Sequence, residues 1–269
     1  MDVVRILWAF VRRDYLTARS YRLAWVLGIA DSVFQLAMFH YLSRMVEFPE
    51  VALGASREID YFSFVVIGLA LNTFLMTGID LFSSSLESEQ ASGTLEVLFS
   101  LPTRPTLTLF GMGSFDLGWS FMTTSILMGL AVVIFGVQLV ARPLALLAAA
   151  CTLMLSLALY ASLGIAIAAC TLVFKRANAL NGIIIQSLAL LSGVYFPVDL
   201  LPQPVQWVSR VLPFAWTLDN LRRTLLLGEV SPMRLALLAA ASVLMVPAAL
   251  WLFGRALDLA RRHGSLAQY

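Results

Sequence analysis

From Leu144 to Phe174 the chain carries no charged side chain. A bilayer hydrocarbon core of about 30 Å needs about 20 apolar residues of helix, so this run exceeds one crossing. It must tilt or emerge from the membrane. Five other runs have similar character: roughly Arg22 to Ser43, Tyr61 to about Phe82, a span within Leu107 to Val137, Leu180 to Phe196, and Met233 to Phe253. Hydrophobic residues make up 60% of the chain and charged residues 13%, with a mean hydropathy of +0.86. No ordinary soluble domain reads like this. The predicted fold class is an all-α membrane protein with six transmembrane helices.

Residues 1–21 precede the first run and lack the form of a cleavable signal. At helical angles Val4, Leu7, Trp8, Val11, Tyr15 and Ala18 cluster on one side. Arg5, Arg12, Arg13 and Arg19 cluster on another, with Asp14 the exception on the apolar side. This predicts an interfacial helix along the membrane, its arginines facing phosphates and Trp8 at headgroup level.

Polar residues inside the runs stand out against this background. Asp31 falls near the middle of the first span, with Gln35 one turn on. Asn72 lies in the second, and Asp116 sits among Gly111, Gly113 and Gly118 in the third. A carboxylate at a helix centre costs about 2.5–3.5 kcal/mol on insertion scales. Such groups should face protein or water, which makes Asp31, Gln35, Asn72 and Asp116 candidate polar residues of a translocation path. The glycines, and the patterns Ser162-x-x-x-Ala166 and Gly164-x-x-x-Ala168, suit close helix packing. Cys151 and Cys170 lie in one run, too far apart along a helix to bridge, and are expected as two buried thiols.

The stretch Ser83 to Pro105 is a polar interruption with three glutamates, Glu87, Glu89 and Glu96. Ser84-x-x-Glu87 has the form of a capping box, predicting a polar helix that starts there. Leu95, Leu98 and Phe99 follow i, i+3, i+4 spacing, so a helix puts them on one face with Glu96 off it. Pro102 and Pro105 then stop the helix. Acidic residues favour docking into a soluble partner over lying on a negative leaflet. A second unusual stretch, Val198 to Ser231, is too broken by Pro202, Pro204 and Pro213 to span as one helix. It is too apolar to be a solvated loop, given Trp207, Val208, Val211, Leu212, Phe214 and Trp216. Two short helices dipping in from one face and joined near Pro213 fit this pattern, because irregular backbone is tolerated at membrane depth when protein covers it.

The run Glu87…Gly93-Thr94-Leu95-Glu96-Val97-Leu98…Leu101-Pro102 resembles the cytosolic loop of ABC type-2 exporter permeases. Ser192-Gly193-Val194-Tyr195-Phe196-Pro197…Leu201-Pro202…Leu212-Pro213…Asp219-Asn220-Leu221-Arg222 resembles the segment before that family's last span. The resemblance implies one ABC type-2 transmembrane domain over 1–269. It implies a cytosolic coupling helix within 83–105 and an external re-entrant helical hairpin within 197–231. It assigns ATPase coupling to Glu87, Gly93, Thr94, Leu95, Glu96, Leu98 and Phe99, with Leu95, Leu98 and Phe99 packing and Glu87 and Glu96 making polar contacts. The implied partners are a second permease copy, forming a homodimer, and two copies of a separate ABC ATPase that holds ATP and Mg.

Six spans put both ends of the chain on one side. Arginine and lysine residues are in excess on the side of Arg5, Arg12, Arg13, Arg19, Arg22, Arg104, Lys175, Arg176 and Arg255, which favours both termini in the cytoplasm. The expected location is a prokaryotic plasma (inner) membrane. The single lysine, Lys175, follows no glycine-rich loop, so no P-loop is expected in this chain and ATP would be bound by its partner. No metal site is expected from His40 and His263, and no basic, aromatic-interleaved module suggests nucleic acid. The reading is a non-catalytic permease subunit of an ATP-driven exporter for an amphipathic or hydrophobic substrate, a drug-like molecule or lipid. A polysaccharide or glycolipid exporter of the same family is the alternative. A proton-coupled secondary carrier using Asp31, Asp80 or Asp116 is the alternative of another class, although no inverted repeat with matched broken helices supports it.

Overall fold

One helix forms the axis of the molecule. The computed structural model describes residues 3–20, 22–45, 59–94, 105–174 and 178–262. Its long helices are α1 (Val3–Ser20), α2 (Arg22–Met45), α3 (Tyr61–Ala91), α4 (Pro105–Val133) and α5 (Pro143–Phe174). They are followed by α6 (Asn178–Leu191), a 3₁₀ turn (Val198–Leu200), α7 (Gln203–Val211) and α8 (Pro213–Arg222). A π turn (Arg223–Leu227) leads to α9 (Pro232–Arg262). Within α3, 78% of the apolar window is buried, against 11% in α2, 22% in α4, 39% in α5 and 17% in α9. α2, α4, α5, α6 and α8 therefore pack around α3, α1 lies on α4 and α9 lies on α5; the outer helices turn apolar faces outward, as the all-α membrane class requires.

Five described helices are long and apolar enough to cross a membrane: Trp25–Met45, Tyr61–Leu86, Leu107–Val133, Pro143–Cys170 and Pro232–Leu259. The expected fifth run, Leu180 to Phe196, becomes the shorter α6, about 21 Å of helix at 1.5 Å per residue. Its early end has a local cause. A Cβ placed on Gly68 would stand 2.2 Å from the Val194 carbonyl oxygen, so the chain after α6 presses directly onto α3. Gly68 lies about 10 Å along α3 from Tyr61. The turn that follows, with Gly193 at φ 77°, carries the chain on until the Tyr61 hydroxyl donates to the Tyr195 carbonyl at 3.2 Å. Helix and turn together cover the distance that a longer helix would.

The tightest helix contact joins α3 to α5. A Cβ on Gly78 would lie 2.6 Å from the Tyr160 Cβ, and one on Gly164 would lie 2.6 Å from the Gly78 carbonyl oxygen. The small-residue spacing around Gly164 thus lets two backbones meet, where dispersion contacts replace the hydrophobic drive that lipid does not provide. Phe74, Leu75, Ile79, Tyr160, Phe214 and Leu218 close into one core around this contact.

Two expectations are corrected. The second span does not end near Phe82 to let a capped helix begin at Ser84, because α3 is continuous from Tyr61 to Ala91. The Ser84 and Ser85 hydroxyls donate back to the Asp80 and Leu81 carbonyls at 2.6 and 2.7 Å. Serines that satisfy themselves on the preceding turn leave the helix no reason to restart. Cys151 and Cys170 are free thiols, as their separation on α5 requires, but both are exposed rather than buried.

Replacing Gly164 by leucine forces a branched side chain against backbone. We expect a loss of about 1–3 kcal/mol, as for overpacked cores, read as a lower midpoint in detergent thermal unfolding. A Cβ on Gly118 would meet nothing within 4 Å, so Gly118→Ala should unfold with the wild type.

Candidate functional site

α3 is about 46 Å long at 1.5 Å per residue, so its last turns pass beyond a hydrocarbon core of about 30 Å. They end in a built junction. The Thr94 N–H donates to the Glu89 carbonyl at 3.0 Å, and Gly93 takes φ 68°. This is a six-to-one closure with glycine in the left-handed region, which satisfies carbonyls that the helix end would leave bare. Thr94 Oγ1 donates to Glu89 Oε2 in a short contact. Arg13 Nη1 on α1 donates to Glu89 Oε1 at 2.8 Å. One carboxylate therefore joins α1, the end of α3 and the first residue of the strongly patterned segment.

Arg13 is itself held on three sides. Its Nε donates to Asp14 Oδ1 at 2.8 Å, and its guanidinium carbon stands 5.3 Å from the Phe10 ring centroid. Burial works to lower its pKa, but Asp14 and Glu89 outweigh that and hold it above the ordinary arginine value. Phe10 rests on α4, where a Cβ on Gly111 would stand 2.5 Å from its ring. Trp25 Nε1 donates to the Ala18 carbonyl at 3.2 Å, which fixes the bend between α1 and α2, and Trp25 meets Trp119 on α4 edge-on at 4.0 Å. The N-terminal helix is thus docked on α4 through Phe10, while Trp8 stays exposed. Sequence reasoning put Trp8 and Tyr15 on the membrane-facing side of this helix, where both are exposed, and did not single out Phe10 or Glu89. The i−76 partner that marks Glu89 has no signature in the chain.

Of the residues predicted for coupling, Gly93 and Thr94 belong to this junction. Leu95, Glu96, Leu98 and Phe99, and the Glu87 side chain, lie outside the described residues. Pro105 opens α4 at its first position, where a missing N–H costs nothing. The four candidate path residues are dispersed. Asp31 on α2 is exposed and Gln35 half-buried. Asn72 on α3 is buried, and its Oδ1 finds no partner among the described residues. Asp116 on α4 lies within electrostatic reach of Asp14 on α1, towards the junction rather than beside Asp31. Ser120 and Thr124, one turn apart on α4, are buried with unpartnered hydroxyls.

At the other end of α3 lies a second built feature. Arg222 is buried, and its Nε, Nη1 and Nη2 donate to the carbonyls of Phe64, Gly193 and Val194 at 3.2, 3.0 and 3.0 Å. Its guanidinium carbon stands 3.3 Å from the Phe64 ring centroid. The Asp219 carboxylate lies within electrostatic reach of it. Asn220 Nδ2, two residues earlier, donates to Thr152 Oγ1 on α5 at 2.8 Å. Among the described residues no three histidine, cysteine or carboxylate side chains group as metal ligands.

The chain matches a known family model, described as ABC-2 type transporter, over residues 5–226. The chain belongs to the ABC-2 type transporter family. It is a permease component, a transport subunit that is not itself catalytic, and it works with an ABC ATPase subunit. No curated protein matches the chain. The family match takes in α1 to α8 and the junction at Glu89, and also Arg222 near its end.

Arg13→Ala and Glu89→Gln should each loosen α1 from α3. Exposed ion pairs contribute about 0.2–1 kcal/mol, so the melting midpoint should shift little. Crosslinking between cysteines placed on α1 and the end of α3 should fall, and the swapped pair Arg13→Glu with Glu89→Arg should restore it.

Proposed function

We propose that this permease is half of an ATP-driven exporter in which residues 83–105 are the handle gripped by the ATPase. The observation that carries this reading is the family match over residues 5–226, with α3 reaching past the bilayer and ending in the Glu89–Thr94 junction directly before residues 95–101. Closing of two ATPases around ATP would move residues 95–101. Leu95, Leu98 and Phe99 would be the packed contact, and Glu87 and Glu96 the polar one. Because α3 is unbroken from this junction to Gly68, a displacement there reaches the core as a rigid-body motion. ATP and Mg belong to the partner's site.

The working assembly in this proposal is a homodimer of the chain with two ATPase copies. It sits in a prokaryotic inner membrane, with α1 and the junction on the cytoplasmic side. The arginine excess on that side supports this orientation. α7 and α8 are then an external re-entrant hairpin. Phe214, at the start of α8, stacks on Tyr160 at 4.7 Å, about 25 Å along α5 from Pro143. Asn220 meets Thr152, nearer the start of α5. The Val140 N–H donates to the Leu225 carbonyl at 2.8 Å in the loop before α5. α8 therefore climbs from depth back to the side it came from.

The cargo we assign is amphipathic or hydrophobic. α2 exposes Leu23, Val26, Leu27, Phe34, Met38 and Tyr41, with Asp31 among them. A path lined by such a face suits a lipid or drug-like molecule better than a sugar polymer, which needs hydrogen-bonding groups throughout.

The double variant Glu96→Ala, Leu98→Ala should abolish ATP-dependent transport in vesicles and lower copurification of the ATPase by about tenfold, the equivalent of 1.4 kcal/mol. Unchanged coupling would remove the handle from those residues. Transport that persists on a proton gradient without any ATPase would replace the exporter with a secondary carrier.

A further inference from the structure

Between α7, α8, the end of α6 and the start of α9 lies a cavity of about 380 Å³. Its apolar wall includes Phe64, Val198, Trp216 and Leu237, and its polar wall includes Arg222, Ser192 and Asp219. Nothing in the exporter reading uses it. At this volume it falls at the small end of ligand pockets, too small for a lipid with its chains.

The charges around the cavity do not balance. Asp219 accepts from Arg223 Nε at 3.1 Å and forms an ion pair with Arg234 Nη1 at 3.2 Å. Asp199 lies 4.0 Å from Arg210, and Glu229 lies 3.5 Å from Arg223. Each of these three acids therefore has an arginine. Arg222 is left over, and its Nε, Nη1 and Nη2 donate to three neutral carbonyls. A guanidinium carries five N–H donors, so three carbonyls account for three of the five. Carbonyl dipoles offset the burial of a cation only in part. Ser192 lines the same cavity, is buried, and has a hydroxyl without a partner among the described residues. The Trp216 N–H is already committed to the Arg210 carbonyl at 2.7 Å, so the indole offers this cavity its apolar ring.

We infer that this cavity binds the oxyanion head of an amphiphile, a phosphate ester or carboxylate, with Arg222 and Ser192 as donors and Phe64, Val198 and Trp216 against the first carbons. Arginine is suited to this role because its planar fork presents paired donors to phosphate or carboxylate oxygens. The ligand's remaining chain lies outside the cavity. Two sources have this chemistry: a phospholipid headgroup of the surrounding leaflet and a free anionic amphiphile. The site belongs to the chain alone, so its binding is separable from the exporter reading and does not involve ATP.

The test uses the full chain in a neutral detergent, without the ATPase, and measures binding calorimetrically. The probes are octyl phosphate, octanol, and a short-chain phosphatidylglycerol. Octyl phosphate should bind at least about tenfold more tightly than octanol, as a charge-assisted bond of 1.5–3 kcal/mol requires. Ser192→Ala, which removes no packing volume beyond one oxygen, should weaken octyl phosphate about five- to tenfold, the range of one hydrogen bond. Ala215→Leu, which fills the cavity without touching Arg222, should weaken it further. Both variants must elute and unfold like the wild type, which separates loss of the site from loss of the fold. Tighter binding of phosphatidylglycerol than of octyl phosphate assigns the site to a membrane headgroup; the reverse order assigns it to a free anionic amphiphile. Equal binding of octyl phosphate and octanol overturns the inference, as does wild-type affinity in both variants.

Discussion

The structure depends first on a buried cation that has no acid to itself. α6 ends inside the bundle, and the last carbonyls of a helix have no partners of their own. In water they would be hydrated; at membrane depth each would cost several kcal/mol if left bare. Arg222 answers Gly193 and Val194 in the chain that follows α6, and Phe64 on α3, with one guanidinium. The broken chain from 192 to 231 can sit against α3 because this side chain supplies the donors that a regular helix would have supplied. Gly68 completes the arrangement, since any side chain there would strike the Val194 carbonyl. Removing the cation would leave carbonyls orphaned, which is why so costly a group is retained.

From this knot α3 carries rigidity to the opposite end of the molecule. Its middle is locked by the Gly78–Gly164 approach, where neither backbone has room to slide past a side chain. Its end is held by Leu86, buried in a core with Leu109 and Phe253, and by Glu89 through Arg13 and Thr94. These contacts differ in kind. Backbone packing in a dense interior has few alternative arrangements, whereas a partly exposed ion pair exchanges readily with water. A lever anchored in this way transmits displacement from its loose end to its fixed end.

Legibility followed the range of the interactions. The apolar runs, the small-residue contact at Gly164 and the break around Pro213 are all set by local pattern, and each could be read from the chain. The unbroken course of α3 could not. Ser84-x-x-Glu87 satisfies the form of a cap, and only the back-bonding of Ser84 to Asp80 shows that the helix continues. The depth at which α6 ends was hidden for a similar reason: Leu180 to Phe196 is apolar enough to span, and the close approach to Gly68 that stops it is a contact distant in sequence. Arg222 was visible only as part of a motif. Its burial depends on carbonyls from two other segments. Asp31, Gln35, Asn72 and Asp116 were grouped because each is polar in an apolar run. Their helices rotate them to different faces, and periodicity within one run says nothing about rotation relative to another.

The same asymmetry bears on where the protein can move. α1 meets α4 with Phe10 over Gly111 and meets α3 through the partly exposed Arg13–Glu89 ion pair, so a force at the junction reaches both helices. On the opposite side α8 is bound through Phe214 to Tyr160, Asn220 to Thr152 and Arg222 to three carbonyls. A rearrangement there must break buried hydrogen bonds together. Such sites do not drift; they switch between discrete arrangements or stay still. If a displacement enters at residues 83–105, the outer hairpin moves as one body with α3 and α5. Of the outward apolar faces, those of α2 are the compliant ones, since it has the least buried area; α9 is held along α5, where the Ser242 hydroxyl donates to the Leu155 carbonyl at 3.2 Å. Motion that opens a path should therefore occur between the bundle and whatever covers those faces, and the interior of the bundle should stay closed.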